Sequence, residues 1–138
     1  MKRIIAPLAL AAAAIAAPAQ AATPVDGQYL SKEGDAVITV APCGAKMCGK
    51  ISKIIKARPG AAKTDVNNPD PSLRDRPILG LPILYGFEED GNQWDGTIYN
   101  PEDGKSYKSE IEKLSDGRLK VKGCVLFICQ TQYWRPYR

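Results

Sequence analysis

Asp116-Gly117-Arg118-Leu119-Lys120-Val121-Lys122 is the stretch that decides the fold. Basic residues alternate with Leu119 and Val121, so an extended chain turns the lysines to one side and the apolar pair to the other. Asp116-Gly117 in front of it is a hairpin signal, because glycine reaches positive φ at little steric cost. A barrel built to lie in a bilayer carries apolar residues on its outward face. Lys120 and Lys122 occupy that face, so this strand belongs to a sheet that meets water.

Working outward, short β-like runs and turn signals alternate over most of the chain. Lys105–Leu114 is preceded by Asn100-Pro101-Glu102-Asp103-Gly104, where Pro101 is preset for the first corner and Gly104 is free to close it. Trp94–Tyr99 and Ile83–Phe87 flank Asp90-Gly91. Lys50–Ile55 and Ala36–Val40 flank Cys43–Cys48, and Glu33-Gly34 separates Ala36–Val40 from Gly27–Leu30. Toward the C-terminus, Leu119–Gly123 and Thr131–Arg135 flank Cys124-Val125-Leu126-Phe127-Ile128-Cys129. The longest connection, Ala57–Pro77, carries four prolines, and no long stretch has the apolar spacing of an amphipathic helix. Seven connections imply eight strands, and six of them are short enough for antiparallel neighbours. An open meander would leave two bare edges, and closing it removes both. The expected fold is all-β, an eight-stranded antiparallel up-and-down barrel, with a two-sheet sandwich as the alternative.

Residues 1–21 read as a secretory signal peptide: Met1-Lys2-Arg3, an apolar run from Ile4 to Ala17, then Pro18-Ala19-Gln20-Ala21. That run has about 14 residues, short of the ~20 that a membrane-spanning helix needs. Cleavage after Ala21 leaves residues 22–138 as a single barrel domain with a periplasmic or secreted address and no later membrane span. The formal charge of +4 falls to +2 without Lys2 and Arg3, too mild for a nucleic-acid binder. There is no histidine, which excludes Ser–His and Cys–His nucleophilic pairs.

The four cysteines, even in number in an exported chain, read as two disulfides. Joining Cys43 to Cys129 would close a loop near 87 residues, favoured by chain entropy at ~4.6 kcal/mol against ~2.2 for a six-residue loop. Geometry overrules that preference. In an up-and-down barrel, odd-numbered connections share one end and even-numbered ones the other, so the two cysteine pairs lie ~20 Å or more apart. A disulfide needs Cα atoms within ~7 Å. The expected pairs are Cys43–Cys48 and Cys124–Cys129.

Gly27-Gln28-Tyr29 in the first strand and Trp134-Arg135 in the last resemble the lipocalin or calycin arrangement, in which an early aromatic packs under a late arginine. Tyr29 stands where that pattern has tryptophan, and the chain is shorter than a typical lipocalin. A second resemblance spans nearly all of the mature chain. It rests on Gly34-Asp35-Ala36-Val37-Ile38, Cys48-Gly49-Lys50-Ile51, Asp65 with Asn68-Pro69, Gly80-Leu81, and Trp94-x-Gly96-x-Ile98-Tyr99-x-Pro101-x-x-Gly104-Lys105-x-Tyr107. This ordered set is similar to a family of small secreted bacterial proteins defined as a domain of unknown function. The resemblance implies a lipocalin-like barrel and a periplasmic or secreted address, and it implies no activity.

Strand counting gathers the candidate site at the odd-numbered end: Asp65, Asn67 and Asn68 from the long connection, Asn100 and Glu102 from the fifth, and Leu126 and Phe127 from the seventh. A loop beyond ~12–15 residues is either a functional lid or a surface loop, here one whose Asx residues cap local turns. Asp65, Asn67 and Asp70 lack the glycine and late glutamate of an EF-hand, so no metal is expected. Glu102 and Asp103 are adjacent in a turn and read as turn formers rather than an acid–base pair. Leu126 and Phe127 either fold inward to cap the core or touch something outside. Trp94, Ile98, Tyr107, Ile111, Leu119 and Val121 are expected mostly in the core. The functional expectation is a non-enzymatic binding protein without cofactor, holding a small apolar or amphipathic ligand at the barrel mouth. The alternative is a protein-interaction module of the cell envelope, an inhibitor or stress factor, with a filled barrel.

Overall fold

The computed structural model describes residues 2–16 and 21–138. Eight strands follow in order: β1 (Gly27–Leu30), β2 (Ala36–Cys43), β3 (Lys46–Ile54), β4 (Pro82–Asp90), β5 (Gln93–Asn100), β6 (Lys105–Lys113), β7 (Leu119–Val125) and β8 (Ile128–Pro136). Each pairs antiparallel with the next, and β1 closes on β8 through Tyr29 opposite Pro136 and Leu30 opposite Arg135. The fold is the expected closed barrel. One short 3-10 turn, Pro71–Leu73, interrupts the connection between β3 and β4.

The inward row of each strand fills the interior. Tyr29, Ile38, Val40, Ile51, Leu84, Phe87, Ile111, Leu119, Val121 and Trp134 form one buried cluster, with Trp94 and Ile98 packed partly buried against it. Tyr107 is only half-buried and turns its hydroxyl to Asp103. A β-bulge makes room for the ring of Phe87. Tyr85 faces Thr97 and Glu88 faces Asp95, so Gly86 and Phe87 together oppose Gly96. A Cβ on Gly96 would stand 2.6 Å from Phe87 Cγ, so only glycine admits that ring.

The chain before β1 plugs the even-numbered end. Val25 is fully buried and accepts the Tyr29 hydroxyl on its carbonyl at 2.7 Å, while Trp94 Nε1 donates to Thr23 O at 3.1 Å. Lipocalin resemblance implies Tyr29 beneath Arg135, and here the structure differs. Lys113 Nζ stands 5.7 Å over the Tyr29 ring, and Arg135 is exposed beside Gly34. Alternation explains this: Trp134 points inward, so its neighbour must point out.

Both disulfides join the expected partners, Cys43–Cys48 at one end and Cys124–Cys129 at the other. The last hairpin is longer than its composition suggests. Cys124 and Cys129 sit opposite each other in the ladder, and Val125 opposes Ile128. Only Leu126 and Phe127 form the tip, with Leu126 at φ 54°. Residues 2–16 form no regular structure, and Ile4, Leu8 and Ile15 among them are exposed. Residues 17–20 of the expected cleavage region lie outside the described residues. Among the described residues no helix is long and apolar enough to cross a membrane.

Candidate functional site

Residue parity places the long connection. Ile98 opposes Leu84 and Tyr107 in the inward row, so Tyr99, opposite Ser106, and Tyr85, opposite Thr97, lie on the outer wall. Tyr99 is nonetheless buried, because the part of the long connection that carries Asp65, Asn68 and Arg76 lies over it. Its hydroxyl donates to Asp65 Oδ1 at 2.5 Å. Asn68 Nδ2 and Arg76 Nη2 both donate to Asp65 Oδ2, at 2.8 and 3.0 Å. Asp65 is 0% exposed. Burial alone would raise its pKa, but the hydrogen bonds from Tyr99, Asn68 and Arg76 outweigh burial and hold the carboxyl below the usual aspartate range. Burial, and then the Asp65 contact, push the Tyr99 phenol up to about 12. Asp65 therefore bolts this part of the loop to the outer wall, while Arg58, earlier in the same loop, reaches across the odd-numbered end from Asp35 of the β1–β2 turn to Glu102 of the β5–β6 turn.

The remaining polar candidates are fasteners of the same kind. Asn67 Nδ2 donates to the carbonyls of Pro101 and Glu102 at 3.2 and 3.0 Å. Asn68 Oδ1 accepts from Asp70 N, and Asp70 in turn caps Ser72 N. Asn100 accepts from Glu102 N, and Glu102 pairs with Arg58, which also reaches Asp35. The structure thus brings Asp65, Asn67, Asn68, Asn100 and Glu102 to one end, where their polar atoms join the long loop to the β5–β6 turn. Leu126 and Phe127 are at that end too, but 87% and 90% exposed. They do not cap the core, because the β7–β8 hairpin carries them past the rim.

Between loop and wall lies an open groove of about 980 Å³. Pro69, Leu73, Tyr85, Tyr99, Tyr107 and Val125 give it an apolar and aromatic base, and Arg76, Lys105 and Lys108 bring positive charge. Arg76 Nε is buried without a hydrogen-bond partner among the described residues. Lys105 and Lys108 make no ion pair among them. Alternation could have put Tyr85 and Lys108 on the outer wall. Nothing in the sequence says that the loop folds back against that wall, so the groove itself was not legible. Among the described residues no three His, Cys, Asp or Glu side chains converge as a metal site.

Comparison with known proteins gives two matches. Residues 27–135 match the family described as an uncharacterized protein conserved in bacteria, DUF2147. The solved structure of protein HP1028 from Helicobacter pylori, described as belonging to the lipocalin family, superposes with a TM-score of 0.70. That match covers 83% of this chain and 84% of the other at 22% identity, so it shows the fold alone. No curated protein matches the chain.

Proposed function

Because the chain belongs to the DUF2147 family of bacterial proteins and folds as a lipocalin-like barrel, we propose that it is an exported, non-enzymatic binding protein for an amphipathic anion. The groove beside Tyr85 carries this reading. Its volume falls within the ~300–1,000 Å³ of small-molecule sites, and such sites pair apolar walls with a few placed polar groups. Tyrosine rings and Leu73 suit a hydrocarbon portion. Lys105, Lys108 and the unpartnered Arg76 Nε suit an acidic head. The leader and two disulfides support export, since disulfides persist in oxidising compartments. The non-enzymatic part rests on a chain without histidine, on cysteines held in disulfides, and on an Asp65 carboxylate already occupied by three donors.

Titration of periplasm-recovered protein with dansylated fatty acid tests the proposal, alongside the variant K105E/K108E. Saturable binding that weakens ~10-fold or more in the variant is expected, the loss of two charge-assisted contacts. Binding insensitive to the charge reversal, or no binding, defeats the proposal. The filled interior favours one rival, an envelope-protein interaction module without a small ligand. For that rival, a native mass spectrum shows bare protein and the titration stays flat.

A further inference from the structure

The twelve residues from Gly123 to Trp134 include no charged side chain. They form most of the last hairpin, whose β8 strand pairs with β1 only at Arg135 and Pro136. Before that point β8 has β7 on one side and, among the described residues, no backbone partner on the other. The Tyr137 N–H donates toward β1, to Gln28 O at 2.9 Å. N–H and C=O directions alternate along a strand, so the outward pairs on the bare edge belong to Tyr133, Thr131 and Cys129. Proteins blunt such edges with charge, proline or a bulge. This one has no charge or proline there, and its ladder runs from Leu119 to Val125 without a register shift.

We propose that this edge pairs antiparallel with the same edge of a second copy of the chain, across a two-fold axis at Thr131. Cys129 of one copy then faces Tyr133 of the other, and the outward donors and acceptors of both strands find partners. The observations favour this occupant over two others. An uncharged edge meets itself without like-charge repulsion. The Cys124–Cys129 bridge already orders the strand, whereas a flexible peptide would lose conformational freedom on joining it. A bilayer could take the apolar tip but would leave the strand's backbone groups unsatisfied in hydrocarbon. The proposal rests on β8 and is independent of the groove.

Sedimentation velocity and native mass spectrometry of the periplasm-recovered protein, over a wide concentration range, test it with T131P and T131K. The Thr131 N–H points away from β7, so T131P removes the two axial hydrogen bonds of the dimer and leaves the β7–β8 ladder its donors. T131K sets two ammonium groups face to face on an exposed position and decides the matter if T131P unfolds. The expected result is a wild-type dimer whose dissociation constant rises about 10- to 100-fold in each variant, with thermal unfolding of the T131K monomer unchanged. A monomeric wild type overturns the proposal, as does dimerisation indifferent to both substitutions. So does a monomer that sediments with anionic phospholipid vesicles, since the bilayer would then be the occupant.

Discussion

Replacing Asp65 with alanine should unfasten the long loop. The substitution strands a buried Tyr99 hydroxyl and the Asn68 amide, and leaves the Arg76 guanidinium without its carboxylate. Removing one partner from a buried ionic network costs ~3–5 kcal/mol. The Arg76 side chain is 32% exposed and regains some water, so the lower half of that range, about 3–4 kcal/mol, is expected. That is a large share of the ~5–15 kcal/mol that holds a domain folded. Y99F keeps the carboxylate and two of its donors, and should cost about 1.5–2 kcal/mol. Urea unfolding followed by circular dichroism measures both, and limited proteolysis across residues 56–81 reports the loop itself. The pH dependence has a definite sign. Folded Asp65 titrates below the ~3.9 of an unfolded aspartate, so its stabilisation is complete above that value and is lost as pH falls through the folded pKa. The gap between wild type and D65A should therefore narrow on acidification. A loss below ~1 kcal/mol with unchanged protease resistance would refute this account of the loop, as would a gap that ignores pH.

Two further outcomes check the remaining fasteners. Gly104 sits at φ +69°, where an added Cβ would overlap the Asn67 carbonyl, whereas Gly44 at φ +66° has open space around it. Thermal unfolding should show G44A costing about 1 kcal/mol for backbone strain alone, and G104A about 2–3 because the loop must also move. The C124S/C129S variant should lose ~2 kcal/mol, the chain-entropy value for so short a loop, and keep its barrel spectrum by circular dichroism.

Turn chemistry explains why the barrel was legible and the groove was not. Asp90-Gly91, Asn100–Gly104 and Asp116-Gly117 announce their hairpins because positive φ is a local demand that only a few residues meet. Counting those turns fixes the barrel ends, and the ends fix the disulfides. Side-chain partners across long sequence distances carry no such local mark. Asp65 was visible as one of several acidic and amide residues in a proline-rich loop. Its contact with Tyr99, 34 positions away, depends on which wall the loop lies against. The last hairpin misled for a different reason. Val125-Leu126-Phe127-Ile128 has a buried strand's composition, yet the disulfide-linked ladder extends it past the rim, where Leu126 and Phe127 meet solvent.

The plug formed by residues 22–26 sets the direction in which the barrel faces relative to the chain before it. Val25 is locked inside the barrel, so whatever precedes Ala22 leaves the molecule at the end away from the groove and the bare β8 edge. Were residues 1–21 the leader read from the sequence, a chain still tethered through them would turn the groove and the β8 edge away from the membrane. β8 also finishes at the tethered end, which makes the C-terminus a second attachment point from which a tag or a surface would leave those faces unobstructed.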